Sequence, residues 1–347
     1  MGTGPPDVQD LLKQVSRSFY LTLRVLPRSI KWPIGLAYLL ARSTDTIADT
    51  ALVQIPRRRE ALIQLWTSIR EASEGRSTAL PDFGDLSQGQ EAITGEGTAA
   101  ERILLQRIGE LLDAFRVLAP ADRARICRLL DTIIHGQEAD LLCFGANAGQ
   151  ITAFSNDEDL DRYTYDVAGC VGEFWTEMCR AHVFPSALLD DAGLMADGIR
   201  FGKGLQLINI LRDLPRDLRK GRCYVPQSRL SECGLNPGNL LDPAAMESFR
   251  PLYHLYLQLA EDHLSAGWRY TLALPFRCLR IRLACAWPIL IGVKTLAKLR
   301  RSNVLDDKVR VRISHAEIRW LLLRSAALCF NPAAWGRLLH TINREEP

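Results

Sequence analysis

A chain of 347 residues, 47% of them apolar, is long enough and greasy enough to bury a substantial core. Its 43 Lys and Arg against 40 Asp and Glu leave a net charge of +3, too weak a field to make nucleic acid the main partner. The nine cysteines are scattered without a CxxC pair, which argues against the common zinc and disulfide-exchange motifs and for reduced thiols.

The N-terminal MGTGPPDVQDLLKQ has no basic-then-apolar leader, and Pro6 stands where a myristoylation signal needs Ser or Thr. The expectation is a cytoplasmic protein. Apolar residues then recur every three or four positions almost throughout, which predicts an all-α fold. Predicted helices cover 8–25, 30–52, 57–74, 99–118, 121–144, 157–179, 188–212, 243–273, 279–301 and 314–339. Between them, 74–98 is rich in Gly, Ser, Thr and Asp and reads as one long polar loop. No repeat or second composition regime appears, so 1–347 reads as a single domain with a helical appendage from about residue 302. The most apolar run, LACAWPILIGV at 283–293, is flanked by Arg280, Arg282, Lys294 and Lys298 and is too short to span a bilayer. It reads as a core or cavity-lining helix kinked at Pro288.

Two places carry chemistry. Asp45 and Asp49 in ARSTDTIADT are four apart, so a helix puts both carboxylates on one face with Arg42 a turn earlier. Chance alone gives roughly five such acid pairs in a chain of this composition, so the surroundings must decide. They do: IGLAYLL and IADTALV make this helix largely buried, and buried carboxylates need cations. The second place is FGKGLQLINILRDLPRDLRKGRCYVP, where Gln206, Asn209, Asp213 and Asp217 form a stripe of side-chain oxygens. Mg²⁺ takes such ligands, completing its shell with phosphates and water, and Arg42, Arg212 and Arg222 suit the remaining phosphate oxygens. Two facing helices, each with a paired-Asp face, would cradle Mg²⁺ around a diphosphate. Pro215 lies between the two aspartates and predicts a kink or an end of the helix there. The glycine patterns at Gly95 and Gly202 follow no predicted strand and give no dinucleotide site, and the six histidines show no metal-binding spacing.

Four segments, SRSFYLTLRVLP, RSTDTIAD, YTYDVAGCVG and QLINILRDLPRDLRKGRCYVP, together resemble the squalene and phytoene synthases, the head-to-head prenyl synthases. The resemblance implies an isoprenoid synthase fold with a central apolar cavity and Mg²⁺-dependent ionisation of an allylic diphosphate. By position it implies Asp45, Asp49, Asp213 and Asp217 as metal ligands, with Asn209 beside them. It also implies Ser16, Arg17, Arg42, Arg212 and Arg222 at the diphosphate, with Gln206 and Tyr38 nearby. Tyr163 would steer the carbocation, and Val167, Ala168 and Gly169 would let the cavity pass close to the backbone. Cys285-Ala-Trp-Pro288 is similar to the CAxP segment of squalene synthases. The implied reaction therefore joins two farnesyl diphosphates through presqualene diphosphate and reduces the product to squalene with NADPH; the alternative is a phytoene or dehydrosqualene synthase ending by proton loss. Asp166 departs from the family pattern, as does Pro215. Peripheral contact with a membrane would release the product. A rival of another class is a helical assembly factor on the same scaffold, which should have lost these acids.

Overall fold

The structure is a computed structural model that describes residues 6–16, 19–49, 54–76, 83, 98–145, 150–306 and 308–344. Arg17 and most of the polar 74–98 segment lie outside them. The chain is all-α: α1 Pro6–Val15, α2 Phe19–Val25, α3 Arg28–Asp49, α4 Ile55–Ser73, α5 Thr98–Gln106, α6 Ile108–Arg116, α7 Pro120–Gly145, α8 Asp157–Thr164, α9 Cys170–His182, α10 Asp191–Arg219, α11 Gln227–Glu232, α12 Met246–Ala273, α13 Leu279–Arg301, α14 His315–Leu328 and α15 Pro332–Arg344. It packs as two compact units, Met1–Leu141 with Glu177–Pro185, and Leu142–Thr176 with Ser186–Pro347.

In the first unit α3 packs on α4 and α6. Leu36, Leu39, Leu40, Leu62, Leu65, Leu111, Leu112 and Phe115 are all completely buried there. The apolar residues of α3 recur at helical spacing and supply one wall of this core.

In the second unit α10 packs along α12, and α13 packs against both. Between α8 and α9 the helix widens into a π turn over Tyr165–Gly169. That turn packs on α10 at backbone contact distance. A Cβ on Gly202 would fall 2.1 Å from the Ala168 carbonyl oxygen, and one on Gly172 would fall 1.9 Å from that of Gly198. The glycines of FGKG thus serve helix packing.

Several boundaries differ from the sequence expectation, each for a local reason. The predicted helix 314–339 is two helices, because Pro332 cannot continue one and Asn331 Oδ1 instead caps the next by accepting from Ala334 N at 3.0 Å. The predicted 8–25 and 99–118 are also each divided in two. In the other direction, α10 does not stop at 212 and does not end at Pro215. Proline leaves the Leu211 carbonyl without its helical donor, and the buried Tyr253 of α12 supplies one, its hydroxyl donating to Leu211 O at 3.2 Å. The helix α13 likewise runs through Pro288. A two-residue parallel strand pair, Thr152 with Arg222 and Ala153 with Cys223, carries too few residues to show any alternation. All nine cysteines are free thiols.

Candidate active site

The first acidic pair lies on α3. With Leu36, Leu39, Leu40 and Ile47 committed to the core, Tyr38, Arg42, Asp45 and Asp49 follow one another along another side at steps of four, three and four. Tyr38 donates its hydroxyl to the Val15 carbonyl at 3.1 Å and stacks on Phe19 with ring centroids 5.0 Å apart. It therefore fixes the chain on both sides of Ser16, which is buried and whose hydroxyl has no partner among the described residues.

Asp45 accepts a 2.6 Å bond from Gln137 Nε2 of α7, and Arg42 Nη1 lies 3.7 Å from its other oxygen. Arg42 is also bonded through Nη2 to Glu101 of α5. One arginine is thus shared between two acids. Burial first, and then the charge of Asp49, push the Asp45 carboxyl up to about 7, and Arg42 and Gln137 offset this only in part. Its side chain stays 45% accessible. The protein around it is dense enough to disfavour its charge, yet an ion can reach it. Asp49, the last described residue of the helix, is exposed.

The second acidic pair lies on α10 in the other unit. Leu207, Ile210, Leu211, Leu214 and Leu218 are buried in the core, while Gln206, Asn209, Asp213 and Asp217 run along an adjoining, less buried side. Because the helix runs on past Pro215, Asp213 and Asp217 keep their helical spacing. Arg212 holds its neighbour Asp213 by two bonds, Nε to Oδ1 at 2.9 Å and Nη2 to Oδ2 at 2.7 Å. Asp217 is pushed up to about 6, by burial and then by Asp213, against the pull of Arg216, Lys220 and Arg222. Asn209 Nδ2 lies 3.5 Å from Gln206 Oε1. Gly221, at φ 79°, ends the turn after the helix in a conformation that favours glycine. The chain then reverses, and the Arg222–Thr152 strand pairing returns Arg222 toward Asp217.

Tyr163 stands in an aromatic cluster of the same unit. Its ring stacks on Tyr224 at 4.8 Å and meets Phe154 at 5.5 Å, while Phe144 meets both Phe154 and Tyr224 at 5.2 Å. Its hydroxyl lies 3.4 Å from that of Tyr224. Val167, Ala168 and Gly169 belong to the π turn packed on α10. Asp166 accepts the Cys170 thiol at its carbonyl, 3.0 Å away.

Sequence reasoning missed Gln137, Glu101, Tyr224, Phe144, Phe154 and Tyr253. Only Tyr224 carried a signal, its place two residues after Arg222 in the motif.

The squalene/phytoene synthase family model matches residues 12–317, a span that contains both acidic pairs and Tyr163. The chain belongs to this family. A bifunctional lycopene cyclase/phytoene synthase of Arthroderma gypseum is 29% identical over 255 residues, 72% of this chain and 39% of that protein. The chain thus spans about two fifths of the length of that curated relative. Among solved structures, TcSQS bound to a ligand matches with a TM-score of 0.71 at 19% identity, covering 98% of this chain and 92% of that one. A ligand-bound dehydrosqualene synthase matches with a TM-score of 0.64 at 21% identity, covering 92% and 94%. At these identities the two structures establish the fold.

Proposed function

We propose that this family member is a prenyltransferase that joins two prenyl diphosphates head to head and finishes by proton loss, as a phytoene or dehydrosqualene synthase does. The expectation of squalene and NADPH gives way because the matched sequence relatives bear the name of phytoene synthases. Farnesyl diphosphate stays a candidate substrate beside its longer homologue, and 1–347 is read as one catalytic domain.

The observation that carries this reading is that each of two helices presents a pair of acids four residues apart, and in each pair the protein leaves one carboxylate poorly neutralised, Asp45 near 7 and Asp217 near 6. Burial first and then mutual repulsion disfavour these charges, and a bound cation would offset both. Among the described residues no three Asp, Glu, His or Cys side chains form a cage for a metal ion. Pairs of carboxylates nonetheless fit Mg²⁺, which takes the rest of its shell from phosphate and water. Asp45 and Asp49 of α3 would hold such an ion, as would Asp213, Asp217 and Asn209 of α10; when bound, it would neutralise charge developing on the departing diphosphate.

Ser16 and Arg42 of the first unit, and Arg212 and Arg222 of the second, would each bind phosphate oxygens, and the family resemblance gives Arg17 the same role. Arg42 and Arg212 are now held by acids of the protein, so substrate must compete for them or join their network. The faces of Tyr163, Tyr224, Phe154 and Phe144 would stabilise the allylic cation without offering it water. The product assay tests the reading. Purified protein with Mg²⁺ and either farnesyl or geranylgeranyl diphosphate is expected to give a 1'-1 linked polyene whose yield ignores NADPH. Squalene formed only with NADPH would restore the earlier expectation, and no hydrocarbon from either substrate would remove the enzyme reading.

A further inference from the structure

The helix α14 carries an apolar stripe on its outer side. Its inward face is committed: Leu321, Ser325 and Cys329 are buried, and Trp287 Nε1 of α13 donates to Ser325 Oγ at 3.1 Å. Its start is fixed by a reciprocal cap between Ser314 and Glu317, and Lys298 reaches Glu317 at 2.9 Å. The helix cannot roll to hide its other side. On that side lie Ala316, Trp320, Leu323 and Ala327, followed by Phe330 in the turn beyond the helix, and all five are exposed. At 3.6 residues per turn the spacing 4, 3, 4, 3 keeps them within about 40° of one line, opposite the buried face. Trp320 is 41% exposed, Leu323 72% and Phe330 69%. Isolated apolar side chains at a surface need no explanation, but a continuous row does.

The charges beside the row decide what covers it. Arg319 and Arg324 flank it on opposite sides, and the Arg324 guanidinium lies 4.7 Å from the Trp320 ring centre. Lys308, Arg310 and Arg312 lead into the helix and Arg337 follows it, while Glu317, already bonded to Lys298, is the one acid between 308 and 340. A second copy docking row to row would bring these cations against their own kind. An anionic surface that accepts apolar side chains between its charges would not.

We propose that α14 docks on an anionic lipid bilayer, with Trp320, Leu323 and Phe330 inserted among the headgroups and Arg319 and Arg324 on phosphates. Among the described residues no helix is long and apolar enough to cross a membrane, so the contact is with the surface. The geometry stands apart from the proposed reaction, and binding is measured without substrate. The full chain is mixed with vesicles of equal phosphatidylglycerol and phosphatidylcholine, or of phosphatidylcholine alone, and sedimented. Binding is expected to the mixed vesicles and to weaken with salt; Leu323→Glu with Phe330→Ser should lower partition about tenfold or more. Arg319→Glu with Arg324→Glu should abolish the preference for the anionic mixture. Because all four positions lie outside the core, circular dichroism and the melting temperature should not change. Equal partition of wild type and the Leu323/Phe330 variant overturns the proposal, as does absence of binding. Light scattering that shows a dimer dissolved by Leu323→Glu would instead assign the stripe to a second copy.

Discussion

At the scale of single residues, the question is what the acids require of their neighbours. Gln137 uses its amide nitrogen on Asp45, while its own carbonyl oxygen is buried without a partner among the described residues. That arrangement fixes the carboxylate without neutralising it. Asp45→Asn and Asp213→Asn keep the shape and remove the charge, so each should lower kcat/KM by about a hundredfold or more while leaving the melting temperature unchanged or raised. Gln137→Leu keeps the charge and loses the positioning bond. It should raise the Mg²⁺ concentration needed for half activity by about tenfold, with a smaller loss of turnover at saturating metal. Activity unchanged in both aspartate variants would remove the metal assignment; a Gln137 variant indifferent to Mg²⁺ would make that bond merely structural.

At the scale of elements, the sequence shows helices well and their ends poorly. The apolar spacing of α3 and α10 depends on each helix alone, so both acidic faces were legible. Gln137 and Glu101 reach the site from other helices, with no local pattern to mark them. Pro215 is the sharpest case. Its backbone chemistry argues for a break, and the compensation comes from Tyr253, whose hydroxyl takes the place of the missing N–H at Leu211. Tyr253→Phe should leave that carbonyl unpaired in the core, costing about 1–2 kcal/mol of stability and loosening the turn that carries Asp213 and Asp217. Pro215→Ala restores the native donor. If Tyr253 acts through Leu211, its removal should cost distinctly less in the Pro215→Ala background, for both stability and Mg²⁺ affinity. Additive effects in that double-mutant cycle would show that the tyrosine and the proline are independent.

At the scale of the whole chain, the C-terminal helices decide whether the protein ends functionally where the family match ends, at residue 317. Composition could not assign them, because α15 looks like any amphipathic helix. In the fold Trp335 of α15 is completely buried and stacks on Trp268 of α12 at 5.5 Å. Arg282 of α13 is 4% exposed and lies between Phe276 and Trp335, its guanidinium carbon 4.9 Å from each ring centre. Burial pulls its pKa down, and the nearby Cys329 and Cys278 only partly counter that. No acid is paired with it among the described residues, so the aromatic faces are what stabilise its charge. Trp335→Ala removes one of those faces and opens a cavity at once, for which about 3–5 kcal/mol is expected. Unfolding in urea should show this as a lower midpoint with an unchanged slope if α15 belongs to the same cooperative core as α12 and α13. A separate early transition for the C-terminal helices would make them an independent appendage. Arg282→Met in the Trp335→Ala background separates the two contributions: replacing the stranded cation with an apolar chain of similar length should recover part of the loss, whereas no recovery would assign the whole cost to the cavity.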